Sequence, residues 1–171
     1  LNVTKIEQGG MKYSFEKTNL RSIFSDLASD MKIAAEDKHL DFSSSVDGDG
    51  EFLVYGDTTK LKQVFLNLID NSIKYTKEGF VKVILAKDTL GGILFSVTDS
   101  GIGVTEETKK TLFKKFVRGE GKSLNGGGSG LGLYLAEEIV KAHKGTISVT
   151  SDGTGKGSTF SVMLPSFIAT E

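Results

Sequence analysis

Three stretches carry residues suited to chemistry. Gly126-Gly-Gly-Ser-Gly-Leu-Gly-Leu133 runs directly into Tyr134-Leu-Ala-Glu-Glu-Ile-Val-Lys-Ala-His143, whose apolar spacing is helical. A glycine loop that ends at a helix N-terminus offers unpaired backbone N–H groups and the positive end of the helix dipole, and glycines let a bulky anion approach. A phosphate suits that junction; an ordinary mobile surface loop is the competing reading of a glycine run taken alone. In the second stretch, Asp99-Ser-Gly-Ile-Gly-Val104, a carboxylate at a strand end is followed by two glycines that leave the space beside it open. Third, six basic residues, Lys109, Lys110, Lys114, Lys115, Arg118 and Lys122, stand around the entrance to the glycine region. They could attract a polyphosphate or form a solvated helix face, and the second reading suits most of them.

The elements that must hold these groups follow from periodicity. After Gly9-Gly10 a first strand is expected over Lys12-Tyr-Ser-Phe-Glu-Lys17, then Asn19 as the cap of a helix reaching about Asp37, with Ile23, Phe24, Leu27 and Met31 on one stripe. Leu40–Val46 and Phe52–Tyr55 flank Asp47-Gly-Asp-Gly50, and that turn chemistry predicts that the two strands pair. Asp57 caps a long helix with Leu61, Val64, Phe65, Leu68, Ile69 and Tyr75 on one side. Lys60, Gln63, Asn67, Asp70, Asn71 and Lys74 lie on the other, which by periodicity alone is a solvated face.

Strands over 80–86 and 93–98 form a hairpin through Thr89-Leu-Gly-Gly92, and a short helix runs from Glu106 to about Phe116, with Leu112, Phe113 and Phe116 on one stripe. Nine of the 21 glycines lie between Gly101 and Gly132, so conformational freedom gathers there like a lid over a site. The helix beginning near Gly130 ends at His143-Lys144-Gly145, with Gly145 as its cap and His143, a structural residue, where the dipole favours a cation. His39 reads as a surface residue near a helix end. A last hairpin joins 146–150 to 158–164, and Pro165 closes the sheet. The expected class is α+β, with three substantial helices covering one face of a mixed, mostly antiparallel sheet.

Composition limits what such a chain does. At 171 residues, 38% hydrophobic and 25% charged, it fits one soluble domain, and its apolar runs are too short to cross a bilayer. Twenty-one basic against 22 acidic residues give a net charge of −1, which disfavours nucleic acid and anionic lipid as partners. Zero cysteines exclude disulfides and thiolate metal sites, and suit a cytoplasmic location; two distant histidines cannot build a zinc site without several carboxylates. Leu1-Asn-Val-Thr-Lys-Ile reads as the tail of an earlier helix without a leader, so a fragment is expected.

Four segments stand in fixed order: Asn67-Leu-Ile-Asp-Asn71-Ser-Ile-Lys74-Tyr75, Asp99-Ser-Gly101-Ile-Gly103, Leu112-Phe113-Lys-Lys-Phe116-Val-Arg118 and Gly128-Ser-Gly130-Leu131-Gly132-Leu. Together they resemble the N, first G, F and second G boxes of the ATP-binding catalytic domain of bacterial sensor histidine kinases. Gly155-Lys-Gly-Ser-Thr159-Phe160 resembles the last glycine box, and residues 1–10 resemble the exit from the dimerisation helices, which leaves 11–171 as the catalytic domain. The resemblance implies the two-layer α/β sandwich of the Bergerat ATP-binding fold, with a flexible ATP lid.

It also implies roles. Asn71 would be the Mg²⁺ ligand, a carboxamide oxygen being a reasonable hard donor for an ion that shares its shell with phosphates and water. Asn67 and Lys74, on the same face, would sit near the triphosphate, and Tyr75 nearer the nucleoside. Asp99 resembles the carboxylate that accepts from the adenine amino group, with Thr159 a further candidate on the same side. Gly101 and Gly103 would give the base and lid room; Gly128, Gly130, Leu131 and Gly132 would start the phosphate-facing helix. Arg118 would approach the γ-phosphate, where a guanidinium stabilises charge during transfer.

Hydrolysing relatives of the chaperone and gyrase types place Glu four residues before the metal-binding Asn, whereas here Asn67 offers no base. The implied activity is therefore protein-histidine kinase, with Asn67 and Arg118 at the reacting end and very slow hydrolysis. The acceptor would be a histidine on the dimerisation segment of the same protein, then a response regulator, since neither His39 nor His143 sits in a matching motif. A nucleotide-sensing or docking module without phosphotransfer, and an ATPase of the chaperone or mismatch-repair type, are the alternatives. Ser72 stands where Ala is commoner, and Lys144 where Gly is frequent. As an isolated piece the chain is expected to be monomeric, with residues 119–129 mobile when no nucleotide is bound.

Overall fold

The computed structural model describes residues 11–114 and 131–167. Their order is β1 (Glu16–Asn19), α1 (Leu20–Asp37), β2 (Asp41–Asp47), β3 (Leu53–Gly56), α2 (Thr58–Lys74), β4 (Phe80–Lys87), β5 (Gly92–Asp99), α3 (Glu106–Lys109), α4 (Gly132–Ala142), β6 (Thr146–Thr150) and β7 (Ser158–Pro165). Five strands form one mixed sheet in the order β2-β4-β5-β7-β6, while β1 and β3 pair by themselves. The sheet alternates cleanly. Val81, Val83 and Leu85, Ile93, Phe95 and Val97, and Phe160, Val162 and Leu164 form buried rows, met by the apolar stripes of α1, α2 and α4.

The helices start where capping chemistry puts them. The Asn19 side chain accepts from Arg21 N, the Asp57 carboxylate from Lys60 N, and each removes one of the donors that a helix N-terminus leaves unpaired. The end of α2 is held from outside: Lys38 Nζ donates to the carbonyls of Ile73 at 2.6 Å and Lys74 at 3.0 Å, a cation at the negative end of the dipole. The rings of Phe65 on α2 and Phe95 on β5 stack at 4.0 Å, which fixes the register of that helix on the sheet.

Several expectations need correction. Strands β2 and β3 do not pair. The Phe52 N–H goes to Asn19 Oδ1 and the Phe52 carbonyl accepts from Leu20 N, so the chain leaving the Asp47–Gly50 turn is captured by the start of α1. Strand β3 then joins β1 antiparallel, and β2 lies parallel to β4, with Asp41 opposite Phe80. The first strand begins at Glu16 rather than Lys12 because its partner β3 is only four residues long. Helix α3 stops at Lys109 and continues as turns in which Lys110, Thr111 and Lys114 bond three residues back. Gly145 is not the left-handed residue at the end of α4; Lys144 is, at φ 61°. Gly145 serves closeness instead, since a Cβ there would run into the Met163 carbonyl.

Candidate functional site

Asp99 ends the buried row Ile93, Phe95, Val97 of β5, so strand alternation aims its carboxylate at the helix layer, and the side chain is 6% exposed. From the stacked Phe65–Phe95 pair, four residues carry β5 to Asp99, about 13 Å. Seven carry α2 to Ser72, about 10 Å, which brings Ser72 beside that carboxylate. Gly101 N donates to Asp99 Oδ1 at 2.9 Å and Ser158 Oγ to Oδ2 at 3.2 Å. Burial pushes the Asp99 carboxyl above its ordinary range, and the hydrogen bonds from Gly101 and Ser158, with the nearby Ser72 hydroxyl, oppose that rise only in part. An acid held in this way gains from a ligand that donates a further hydrogen bond to its charged form.

The wall beside Asp99 admits no side chains. A Cβ on Gly101 would strike the Tyr75 carbonyl and lie 2.8 Å from Thr76 Oγ1; Gly103, at φ 75°, would strike the Gly153 carbonyl. Ile102 N donates to the Tyr75 carbonyl, so the end of α2 and the glycine turn form one unit. Ser151 ties the last loop to it, its Oγ accepting from Val104 N at 3.0 Å and donating to the Gly157 carbonyl at 2.6 Å.

Helix α4 lies along α2. Asn67 Nδ2 donates to the Gly132 carbonyl at 3.3 Å, and Leu131, which precedes the helix, makes no side-chain capping bond, so among the described residues the cap position offers the first-turn N–H groups no side-chain partner. Asn67, Asn71, Lys74 and Tyr75 are half-buried on the α2 face toward this end, and Lys74 pairs with Asp70 at 3.2 Å. The structure thus brings Asn67 to Leu131 and Gly132, and Tyr75 to Gly101. Thr159 is not brought to Asp99: its hydroxyl meets that of Thr98 at 2.9 Å on the other sheet face, and Ser158 takes the place by the carboxylate. Phe116, Arg118, Gly128 and Gly130, the lid over 119–129 and residues 1–10 lie outside the described residues.

Sequence reasoning missed Ser158, Thr76 and Lys38. A one-residue change of strand parity separates Ser158 from Thr159, and only the β5–β7 register, with Asp99 opposite Ser158, resolves it. Of the basic residues at the lid entrance, Lys109 is bound to Glu106 at 2.6 Å and to the Ser151 carbonyl at 2.9 Å, while Lys110 and Lys114 are exposed. Lys109 is structural. Among the described residues no three His, Asp or Glu side chains converge as a metal cage, and no helix is long and apolar enough to cross a membrane.

A buried carboxylate at one strand end, glycine walls beside it and a helix start facing an Asn-bearing helix are features that suit a nucleotide-binding ATPase domain. The chain belongs to the family of histidine kinase-, DNA gyrase B- and HSP90-like ATPases, which residues 56–167 match. Within it, the chain is similar to histidine kinases. It is 36% identical over 148 residues to the sensor-like histidine kinase SenX3 of Mycobacterium tuberculosis, covering 86% of this chain and 35% of SenX3. It is 31% identical over 177 residues to the hybrid signal transduction histidine kinase K of Dictyostelium discoideum, covering 96% of this chain and 15% of that protein. The solved structure of full-length ShkA in complex with AMPPNP superposes with a TM-score of 0.79 at 25% identity, over 95% of this chain and 34% of that one. The chain therefore spans only between 15% and 35% of the length of these proteins.

Proposed function

We propose that this chain is the Mg·ATP-binding catalytic domain of a histidine kinase, delivering the γ-phosphate to a histidine on a separate dimerisation segment of the same protein, for relay to a response regulator. The observation that supports this reading is the arrangement of two groups of residues on and just after α2: Ser72, Tyr75 and Thr76 beside Asp99 and Gly101, and Asn67 beside the start of α4. Asp99 accepts from the adenine amino group, an acceptor-only carboxylate that guanine's carbonyl edge cannot satisfy. Tyr75 flanks the nucleoside, and Asn67, Lys74 and the N–H groups from Leu131 and Gly132 onward take the phosphates. Gly128, Gly130 and Arg118 lie outside the described residues, and the family resemblance alone assigns them to the phosphates, Arg118 to the γ-phosphate.

The donor set fits Mg²⁺ only as a shared ion. Asn71 supplies one hard oxygen, and the described residues contain no acidic cage, so phosphates and water would complete the shell. When bound, the ion neutralises phosphate charge. In the transfer the acceptor imidazole forms one N–P bond as one P–O bond to ADP breaks, and the N–H proton of the resulting imidazolium passes to solvent water. Water attack lacks a partner because Asn67, bonded through Nδ2 to Gly132, is no base.

The test is incubation of the chain with γ-labelled Mg·ATP and a separately made dimerisation segment. Label on a histidine supports the kinase; bound but untransferred nucleotide points to a sensing module, and rapid steady-state phosphate release by the chain alone points to a hydrolysing ATPase.

A further inference from the structure

Strand β2 is an edge of the five-stranded sheet, with β4 on one side and, among the described residues, no strand on the other. In the parallel pairing with β4, Asp41 N donates to the Gly79 carbonyl at 2.9 Å, so by alternation Asp41, Ser43, Ser45 and Asp47 turn their backbone groups toward β4. The N–H and C=O groups of Phe42, Ser44 and Val46 therefore point to the open side. Such a row of unpaired donors and acceptors is a template for another strand.

A bare edge alone would say little, since every open sheet has two. This one has a wall. A groove of about 430 Å³ lies between β2 and α1, with Phe24, Ala28, Ser29 and Lys32 on the helix side and Ser44 and Val46 on the strand side. Its described lining comes from α1 and β2 alone, so the groove opens away from β4. An edge strand beside a helix suits an extended peptide, which bonds to the edge through its main chain and drops alternate side chains into the groove. Phe42 and Val46 pack on the core, so Asp41 and Asp47 lie on the opposite sheet face.

Charge selects the occupant. Asp41 and Asp47 stand exposed at the two ends of β2, and among the described residues neither has an ion-pair partner. A second copy paired antiparallel about Ser44 would set Asp41 opposite Asp47 twice, and like charges directly opposite disfavour such pairing. An incoming strand with basic residues at those positions turns both repulsions into attractions. Lys32, at the groove rim, keeps its ammonium in water on a flexible stem.

The geometry points to the β2 edge as a docking site for an extended basic segment of a partner protein. The segment adds antiparallel to β2 through Phe42, Ser44 and Val46, sets small apolar side chains into the groove beside α1, and places two basic residues, six positions apart, opposite Asp41 and Asp47. None of the residues assigned above to the nucleotide takes part.

The probe is a labelled, end-blocked peptide, Lys-Val-Thr-Ala-Thr-Val-Lys, titrated into the chain by fluorescence anisotropy. Its alanine falls opposite Ser44. The expected result is saturable binding that weakens about tenfold or more when the alanine nitrogen is methylated, and is unchanged when the methyl sits on a neighbouring threonine nitrogen, whose N–H points away from β2. Ser44→Pro should fold, because its N–H faces the open side, and should bind about tenfold more weakly or worse; thermal unfolding checks the fold. Replacing both acids, Asp41→Asn with Asp47→Asn, should weaken binding about threefold to tenfold at low salt and less at high salt. No binding of the parent peptide by wild type overturns the inference, as does equal affinity for the two methylated peptides or normal binding by folded Ser44→Pro. If Ser44→Pro does not fold, the methylated pair decides on wild type. A dimer of the chain that Ser44→Pro dissolves overturns it in favour of a second copy at this edge.

Discussion

His143 Nε2 accepts the backbone N–H of Asp57 at 2.9 Å, joining the end of α4 to the cap of α2 across 86 residues. At the other ring nitrogen, Nδ1 lies 2.7 Å from the Ile139 carbonyl. A backbone N–H can only donate and a carbonyl only accept, so the ring is neutral with its proton on Nδ1. Helices α2 and α4 are thus pinned twice, by His143 to Asp57 at one end and by Asn67 to Gly132 at the other. The dipole at the end of α4 favours a cation, but burial of the ring prevails and lowers the His143 pKa, against the opposing Ile139 carbonyl and Asp57 charge.

That neutral ring makes stability fall with acidification. Because the folded pKa lies below the unfolded value of 6.5, the contribution of His143 is complete above that pH and is lost as pH falls toward the folded value. Asp57 acts in a lower window. Burial would raise its pKa, but the N–H groups of Ser14 and Lys60 and the charge of Lys60 lower it on balance, so its contribution is lost only below about 3.8. Urea unfolding between pH 7.5 and 5.5 should show a steeper loss for wild type than for His143→Gln, and parallel curves would refute the assignment.

Asp99→Asn should separate binding from stability. Its folded pKa is raised, so the charged form detracts from the empty fold as pH rises through and above 3.8, and a neutral isostere removes that cost. Asparagine can still accept from Gly101 N and donate to Ser158 Oγ. The expected variant melts no lower than wild type yet binds ATP about 10- to 100-fold more weakly. In wild type, ATP affinity should decline on acidification at a higher pH than an ordinary carboxylate gives, and calorimetric titration across pH measures it.

Asn71→Ala tests the shared-metal assignment. It should weaken ATP binding in Mg²⁺ by about tenfold or more, a loss of about 1.4 kcal/mol, and weaken it far less in the presence of a chelator. Equal affinities in Mg²⁺ would place the ion elsewhere.

Lys144→Gly should stabilise the chain. Lys144 holds φ 61°, a left-handed conformation costing a non-glycine residue about 1–2 kcal/mol, and glycine enters it without a Cβ clash. Offset by the greater entropy of unfolded glycine, a net gain of about 1 kcal/mol is expected, or about 2–4 °C in melting temperature for a chain of this size. A lower melting point would show that the Lys144 side chain does something its backbone does not reveal.

Local chemistry made much of this molecule legible. The caps Asn19 and Asp57, the apolar stripes of α1 and α2 and the hairpins β4–β5 and β6–β7 are all written within a few residues of where they act. Long-range choices were hidden. Strand β2 buries little, with Phe42 and Val46 only partly covered, and nothing in its own residues names β4 as neighbour. For the site, Asn67 and Asp99 were visible through spacing and resemblance, but Thr159 against Ser158 turned on strand parity. Ser72 carried a faint signal, a polar residue four after Leu68 and three after Ile69 on the buried stripe of α2. Its meaning emerges only with Asp99 across from it.

The last of the described strands, β7, sits inside the sheet between β5 and β6 rather than at its edge. During synthesis from the ribosome, β5 therefore emerges with one side unpaired and stays so until Ser158–Pro165 is made. Asp99 meets Ser158 only then, 59 residues after its own translation. A nascent or truncated chain that stops before Ser158 lacks a central strand and half the polar shell of Asp99. Chains that stop there expose bare strand edges to chaperones and proteases.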